Sequence, residues 1–503
     1  MLEISDLAPH VTERLGALDN EHVLARIRAG DHAVWSDDPT EITNRLGWLT
    51  VHELMRERIG ELEAFAAGVS AEGVHTAVLL GMGGSSLAPE VFANTFGGGA
   101  IRLIVLDTTH PATVDRVTRA LDLDATVFLV ASKSGTTIET TSHLAHFWEL
   151  VGSGDRFVAI TDPGTPLESL AAEREFGTVF ANPEDVGGRF SALSLFGLVP
   201  AALVGAPLAA LLDAARQMAG APDAARQNPG AVLGAVMGEA ALRGRDKLTM
   251  LLEGITSFGD WTEQLVAEST GKDDVGIVPV VGEPLAAPEV YGDDRLFVAV
   301  GDVAGIDPLV AAGHPVVRIP FGGPEELGGE FYRWELATAV AGHVLGINPF
   351  DQPNVQEAKD ATNEILAGAT VAPAGFDEPA AVLDRIRPGD YVALQAYLDR
   401  TPETEDALGR IRVAIRDRHR VATTAGFGPR FLHSTGQLHK GGANNGVFLQ
   451  IVDDARFVDM PIPGRDLTFG TLIDAQALGD LRSLRTRGRR VARTTLDALM
   501  EVI

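Results

Sequence analysis

The chain has 503 residues and a formal net charge of -28, from 69 acidic and 41 basic side chains. Such an excess of negative charge argues against nucleic acid or an anionic membrane as the main partner, so an anionic ligand would need a locally positive pocket. The absence of cysteine excludes disulfides and thiolate chemistry and fits a reducing cytoplasm. The N-terminus lacks the features of a secretory signal and no apolar run could span a bilayer, so we expect a soluble, cytoplasmic protein.

Residues 1–70 carry apolar positions at helical spacing, and we expect them to form a helical packing segment. From residue 75, apolar and β-branched runs alternate with segments long enough for helices. This alternation predicts a helix-covered parallel sheet in a first unit, residues 71–220. The predicted strands are His75–Leu80, Ile101–Asp107, Ala125–Ala131, Arg156–Thr161 and Gly177–Ala181.

Two polar loops, Gly81–Ser86 and Ser132–Thr137, follow the first and third of these strands, at the sheet edge where ligands bind. The second loop contains four hydroxyls, a lysine and a glycine, and it leads into an amphipathic helix. The free N–H groups and the dipole at a helix start favour an anion. The pattern predicts a phosphate site; the alternative is a Ser/Thr-rich helix cap without a ligand.

The alternation of strands and helices resumes in a second unit, which we place at residues 221–503. Two such units predict an α/β fold with two doubly wound parallel sheets flanked by helices. We expect Ala367–Pro379 to be a connecting segment and the C-terminal segment to be helical, with the arginines of residues 482–493 on its solvated side. The predicted strands are Lys247–Glu253, Gly276–Val280, Leu296–Val300 and Pro315–Pro320.

A short helix is predicted from about Trp261 to Ser269, because Asp260–Glu263 has the form of a capping box and Gly271 would end the helix. Gln264 and Glu268 are four residues apart and share one face of this helix. Glu268 could serve as a general base, but its spacing alone favours a surface residue.

Further motifs lie at Asp185–Ser191, Glu268–Lys272, Asn348–Pro353 and Phe431–Lys440. Together with the two loops of the first unit, they resemble the glucose-6-phosphate isomerase family. The last motif most resembles the isomerase half of fused transaldolase and glucose-6-phosphate isomerase proteins, and we expect no transaldolase activity. The resemblance implies two sugar-isomerase (SIS) domains and a homodimer. It also implies interconversion of glucose 6-phosphate and fructose 6-phosphate, a step of glycolysis and gluconeogenesis, without a metal or organic cofactor.

By this resemblance the two loops would hold the substrate phosphate. Glu268 would move a proton from C2 to C1 of the open-chain sugar through a cis-enediol, with Gln264 one helical turn before it. The phosphate-binding residues would be Gly84, Ser85, Ser132, Lys133, Ser134, Thr136 and Thr137.

The resemblance implies three further catalytic residues. Arg189 matches the family arginine that stabilises the enediolate, and Lys359 matches the lysine near the ring oxygen. His433 is expected to open the sugar ring, with His439 as the local alternative. In the family the histidine motif follows the glutamate motif closely, whereas here it lies far downstream, after the lysine motif.

Other functions fit parts of the sequence. Gly81–Gly83 after a strand, with Asp107 ending the next strand, superficially resembles the dinucleotide site of an oxidoreductase. Ser86, however, takes the place of the third glycine, and the Ser132–Thr137 loop stays unexplained. A non-catalytic sugar-phosphate-binding SIS protein, or an isomerase of another sugar phosphate or of a sulfonated sugar, would fit the same loops.

Overall fold

The computed structural model describes residues 1–368, 375–453 and 458–503. The middle of the predicted connecting segment Ala367–Pro379 therefore lies outside the described residues. Within the described ranges, no helix combines the length and the apolar character needed to cross a membrane.

The strands form three sheets in the described part of the chain. The strands are β1 (Leu2–Glu3), β2 (Thr76–Gly81), β3 (Arg102–Leu106), β4 (Thr126–Ala131), β5 (Phe157–Thr161), β6 (Thr178–Ala181), β7 (Lys247–Leu252), β8 (Val278–Val280), β9 (Arg295–Val300), β10 (Val316–Ile319), β11 (Tyr391–Tyr397), β12 (Ala422–Phe427), β13 (Gly446–Val452) and β14 (Arg490–Thr494).

Helices cover the sheets and form the N-terminal segment. They are α1 (Ala8–Asn20), α2 (Val23–Arg28), α3 (Val51–Ala71), α4 (Leu87–Phe96), α5 (Pro111–Ala120), α6 (Ile138–Val151), α7 (Pro166–Glu173), α8 (Leu195–Leu203), α9 (Leu208–Ala219), α10 (Pro229–Leu242), α11 (Phe258–Thr270), α12 (Asp307–Ala311), α13 (Leu327–Leu345), α14 (Pro353–Leu366), α15 (Pro379–Leu383), α16 (Pro402–His419), α17 (Gly436–Gly441), α18 (Phe469–Thr486) and α19 (Leu496–Met500).

All three sheets are parallel, except that β1 joins the second sheet antiparallel to β10. The strand orders are β3-β2-β4-β5-β6, β1-β10-β9-β7-β8 and β12-β11-β13-β14. Each sheet has one strand, β2, β7 or β11, at which the direction of strand addition reverses. The next strand in the chain pairs on one side of it, and the later strands pair on its other side. Such a reversal opens a crevice beyond the carboxyl ends of the strands, where α/β proteins bind ligands.

The strands form because they are apolar runs buried on both faces; every residue of β4 and β9 is buried. One apolar cluster extends from the N-terminal helices through the first two sheets to α10 and α13, which pack against each other. The third sheet has a core of its own, built from β11, β13 and α16.

The predicted α/β class, with parallel sheets flanked by helices, is confirmed. Each predicted strand of the first two sheets agrees with the structure to within about two residues at either end. The domain boundaries near residues 70 and 220 stay predictions.

The expectation of a helical C-terminal segment is wrong in part, because the third sheet occupies much of residues 391–494. The first arginines of the C-terminal group lie on α18 and are half exposed, whereas Arg490 and Arg493 lie in β14 and are each only 9% exposed. This arginine-containing strand is buried because the guanidinium groups have partners. Arg490 pairs with Asp390 at 2.6 Å, and Arg493 donates to Gln450 at 2.7 Å.

Candidate active site

The two polar loops of the first sheet lie side by side. Gly81 and Ala131, the last residues of β2 and β4, are paired in register, so the segments that follow them leave the same edge of the sheet. Within Ser132–Thr137, the Ser132 hydroxyl accepts from the Gly135 N–H at 3.1 Å and lies 3.0 Å from the Thr137 hydroxyl. The Ser132 hydroxyl therefore stabilises the conformation of the loop, while the side chains of Ser134 and Thr136 are exposed.

Lys133 points from this loop towards the neighbouring strand. Its ammonium group forms an ion pair with Asp162 and donates to the Glu184 carbonyl at 2.8 Å. Burial raises the pKa of Asp162, even though the Lys133 ammonium group opposes this shift. The lysine thus supplies positive charge beside the exposed hydroxyls, where an anion would bind.

Gly84 lies in close contact with the turn that carries Arg189. A Cβ atom on Gly84 would lie 2.0 Å from the Gly188 carbonyl oxygen, so only glycine fits there. Ser191 reinforces this contact by donating to the Gly84 carbonyl at 3.2 Å. The loop after β2 and the Arg189 turn are therefore held together as one wall of the site.

Helix α11 carries Gln264 and Glu268 on one face, as predicted, and ends at Thr270 with Gly271 as its C-cap residue. The predicted capping box does not form, because the helix begins at Phe258 with Ser257 as its N-cap residue. The apolar side chains of Phe258 and Trp261 are buried against α13, which favours the earlier start.

Glu268 is held between an amide and a guanidinium group. Its Oε2 accepts from Gln264 Nε2 at 3.1 Å, and its Oε1 lies 3.2 Å from Arg189 Nη1. The residue is 9% exposed, so the carboxylate is fixed in a largely enclosed position rather than on the surface.

Arg189 is buried and anchored by contacts on all its nitrogens. Nε donates to Ser269 Oγ at 2.7 Å, Nη1 to Gln352 Oε1 at 2.9 Å, and Nη2 to the Pro349 carbonyl at 2.7 Å. Burial lowers the pKa of Arg189, while the carboxylate of Glu268 opposes this shift. The guanidinium group is thus a fixed cation beside Glu268.

Lys272 stabilises the same region through hydrogen bonds of its side chain, a role that the sequence analysis did not predict. Its ammonium group donates to the Asn348 carbonyl at 2.7 Å and to the backbone and side-chain oxygens of Asp351 at 2.6 Å each. Burial lowers the pKa of Lys272 to about 8. These bonds hold the turn at residues 348–352 against Arg189.

His433 lies in a short turn, Arg430–His433, that follows β12 of the third sheet. Its Nε2 lies 3.0 Å from Oε1 of Glu139, a buried residue at the start of α6 whose same oxygen accepts from Gln476 Nε2 at 2.7 Å. Burial alone would raise the pKa of Glu139, but the neighbouring His433 lowers it overall. The lowered pKa favours an ionised Glu139, which can accept a hydrogen bond from Nε2–H of His433.

The alternative histidine, His439, points away from this region. It is 4% exposed and its Nδ1 lies 3.1 Å from Gln395 Nε2, with its ring against Phe448 in the core of the third sheet. Burial lowers the pKa of His439 well below its ordinary value.

Most of the predicted site residues line one cavity of about 770 Å³. The side chain of Ser132 is buried within the loop. Thr136 faces an adjoining cavity of about 270 Å³. Lys359 is exposed on α14 and borders both cavities. The predicted residues around the larger cavity are Gly84, Ser85, Lys133, Ser134, Thr137, Arg189, Gln264, Glu268, Lys359 and His433.

The sequence analysis missed two kinds of residue at this site. Glu139 could have been noticed as a carboxylate in the first helical turn after the Ser132–Thr137 loop (the anion loop), but its partner His433 is 294 residues away in the chain. Asn44 and Arg45 of the N-terminal segment also line the larger cavity, although that segment was expected only to pack. In the described part of the chain, no three His, Asp or Glu side chains are grouped in a way that could hold a metal ion.

The chain shares its α/β fold with solved proteins, among them a sugar-phosphate isomerase. A solved glucose-6-phosphate isomerase from Chlamydia trachomatis superposes with a TM-score of 0.61 at 20% identity, covering 74% of this chain and 88% of that one; this likeness concerns the fold alone. A hypothetical protein from Thermus thermophilus superposes with a TM-score of 0.62 at 27% identity, covering 73% of this chain and 100% of that one.

Sequence comparison identifies the family. The family model described as phosphoglucose isomerase matches residues 16–274. The glucose-6-phosphate isomerase of Rubrobacter xylanophilus is 30% identical over 410 residues, which cover 68% of this chain and 92% of that protein. The enzyme of the same name from Thermus thermophilus is 31% identical over 379 residues, covering 64% of this chain and 90% of that protein. The chain therefore belongs to the phosphoglucose isomerase family.

Proposed function

We propose that the chain interconverts glucose 6-phosphate and fructose 6-phosphate, with Glu268 as the group that moves the proton between C2 and C1. Family membership supports the reaction. One observation supports the mechanism above all: Glu268 is fixed between Arg189 and Gln264 in the cavity that also contains the anion loop and His433.

The substrate phosphate binds at the loops of Gly84–Ser85 and Ser132–Thr137. The exposed hydroxyl of Ser134 and the ammonium group of Lys133 supply a donor and charge in the larger cavity, while Ser132 holds the loop in shape. The hydroxyl of Thr136 faces the adjoining cavity and lies 3.0 Å from that of Ser134. Gly84 lets the loop approach the Arg189 turn, so the phosphate site lies on the same cavity wall as the groups that do the chemistry.

Ring opening moves one proton from the C1 hydroxyl to the ring oxygen, and His433 carries that proton. Because Nε2 of His433 donates to the Glu139 carboxylate, Nδ1 is the nitrogen left for the substrate. Glu139 fixes the orientation of the imidazole and supports the positive charge that forms on it. The ammonium group of Lys359, which borders the smaller cavity together with His433, stabilises the electron pair that returns to the ring oxygen.

Isomerisation then proceeds at Glu268. Its carboxylate takes the C2 proton, the C1–C2 double bond of the enediol forms, and negative charge develops on the oxygen of the former aldehyde. Arg189 stabilises that charge through its own positive charge and without moving, since all three of its nitrogens are anchored, to Ser269, Gln352 and the backbone. The proton of the C2 hydroxyl passes to the C1 oxygen, and return of the carbon-bound proton from Glu268 to C1 leaves the C2 carbonyl of the ketose, so no cofactor is consumed.

We further propose a cytoplasmic homodimer, as the family resemblance implies. All side chains in the proposed mechanism come from one chain, and His433 is supplied by the third sheet of that chain. The dimer would therefore not be needed to complete the cavity. Sedimentation velocity combined with activity at low protein concentration tests this point: a dissociated chain should stay active.

A coupled assay of fructose 6-phosphate conversion, run with a metal chelator present, tests the reaction and the role of Glu268. We expect wild-type turnover and a loss of kcat of roughly 100- to 10,000-fold in Glu268→Gln with a similar KM, because only the proton transfer is removed. Glu263→Gln is the matched control, since it makes the same change on the same helix outside the cavity.

The outcomes separate the alternatives. Loss of activity on chelation would contradict a metal-free reaction, and a Glu268→Gln variant as active as the control would remove Glu268 from the mechanism. If the folded wild type does not turn over this substrate, other sugar phosphates and sulfonated sugars are the next substrates to assay, and binding without turnover of any of them would indicate a sensor. The oxidoreductase alternative has little support, because the Asp107 carboxylate is already bound by Arg430 at 2.9 Å.

A further inference from the structure

One buried arginine beside the site has no part in the proposed chemistry. Arg430 begins the turn that ends with His433, and it is 9% exposed. Its Nη1 donates to Asp107 Oδ2 at 2.9 Å, and its Nη2 lies 3.2 Å from Asp260 Oδ2 and forms an ion pair with Glu90. A single guanidinium group thus contacts three carboxylates at once, and Arg400 lies 3.7 Å from one of them, Glu90.

These three carboxylates belong to different parts of the molecule. Glu90 lies in α4, the helix that follows the loop containing Gly84. Asp107 follows β3 and also accepts from Ser86 Oγ at 3.1 Å, so it is tied to the end of that same loop. Asp260 lies in α11 of the second unit. Arg430 therefore joins the third sheet to elements that belong to the first sheet (α4 and the end of β3) and to the second sheet (α11).

The turn has a second attachment at its other end. Gln264 Nε2, which donates to Glu268, also donates to the His433 carbonyl at 2.7 Å. Asp260, Gln264 and Glu268 follow one another at intervals of four residues and so lie along one face of α11. The turn that carries the histidine is thus attached at both ends to the helix face that carries the proposed base.

The charges around Arg430 favour the position of the Arg430–His433 turn that the structure shows. Burial alone would lower the pKa of Arg430, but the carboxylates of Asp107, Glu90 and Asp260 raise it well above its ordinary value. If the guanidinium group left, the buried carboxylate of Asp107 would lose its cationic partner and Glu90 would keep only Arg400, at 3.7 Å, which is a costly arrangement. The cluster therefore favours one position of the turn over displaced ones.

We propose that Arg430 is a positioning residue that fixes the His433 turn against α11 and the loop after β2. It thereby holds the imidazole of His433 at a fixed position relative to the carboxylate of Glu268. The inference rests on the proposed role of His433 in ring opening. A displacement of about 1 Å can cost about 100-fold in rate, so the effect of losing the cluster should be large.

The test measures kcat and KM for fructose 6-phosphate in Arg430→Met, His433→Ala and the double variant. We expect Arg430→Met to lower kcat by roughly 30- to 100-fold with a smaller change in KM. In the His433→Ala background the same substitution should cost less than about threefold, because a residue that acts through another has nothing left to position. Arg430→Lys, which keeps the charge but not the fork geometry, should recover part of the loss.

Arg490→Met is the matched control, because it removes a buried arginine–carboxylate pair from the same sheet, away from the cavity. Equal losses of kcat in Arg430→Met and the control, or equal losses from Arg430→Met in both backgrounds, would overturn the positioning role. If Arg430→Met does not fold by circular dichroism, the same comparison with Arg430→Lys and with Asp260→Asn decides. Full activity in His433→Ala would instead refute the proposed function of the histidine.

Discussion

Replacing Glu139 with glutamine tests a pairing that the sequence analysis did not find. The change keeps the size of the side chain and removes its charge, so His433 loses a carboxylate partner 3.0 Å away. The position is only 3% exposed, so water cannot take over that role. The new amide must also accommodate the Nε2 donor of Gln476, which lies 2.7 Å from the present Glu139 oxygen. We expect the imidazole to lose its fixed tautomer and orientation.

The size of the effect follows from the kind of bond that is lost. A hydrogen bond to a charged group contributes about 1.5–3 kcal/mol. If all of that is lost at the barrier for ring opening, kcat falls by about 10- to 150-fold. KM should change by less than about threefold, because the phosphate loops keep their own contacts.

The coupled assay with glucose 6-phosphate and fructose 6-phosphate measures both constants. The matched control is Glu168→Gln, the same change in the first turn of α7, where the carboxylate accepts from the Gly164 N–H at 2.6 Å outside the larger cavity. The reasoning is refuted if kcat of Glu139→Gln stays within about twofold of wild type, or if the control loses as much.

Two further predictions concern packing and pH. Gly84→Ala places a Cβ 2.0 Å from the Gly188 oxygen, so we expect kcat/KM to fall at least 100-fold, roughly the cost of a 1 Å displacement, while Gly60→Ala, which meets open space, leaves it unchanged. Burial raises the pKa of Glu263 to about 8, above about 4.5 in the unfolded chain. The folded state therefore holds a proton that the unfolded state lacks, and stability contributed by Glu263 is lost as pH rises through this window. Glu263→Gln should raise Tm relative to wild type at pH 9 and leave it little changed at pH 5; the same difference at both pH values would contradict this.

The first two sheets could be predicted and the third could not, for a physical reason. Strands such as Ala125–Ala131 are continuous apolar runs, which mark a buried strand without further information. In the third sheet, β13 carries Gln450 and β14 carries Arg493, and each is buried because it bonds to the other across the sheet. Polar residues of this kind interrupt the apolar pattern, and their partners are known only once the strands are paired.

The site was predictable to the extent that local motifs define it. The anion loop and the α11 face that carries Glu268 are each set by a few neighbouring residues, and the structure brings them to one cavity. The capping box was predicted at Asp260 because sequence spacing cannot show that this aspartate faces Arg430, 170 residues later. Glu139 was missed for the same reason, since its role depends on a distant histidine.

The order in which these residues occur in the chain has a consequence for newly made protein. The anion loop and Glu268 leave the ribosome well before His433, whose turn belongs to the third sheet. At about 5–20 residues per second, synthesis takes roughly 10–30 s to pass from Glu268 to His433. During that interval a nascent chain has its Ser132–Thr137 loop but not His433, the proposed ring-opening group. Catalysis by the proposed mechanism would therefore begin only when the third sheet has been made and docked, so that turnover would report that this sheet has folded.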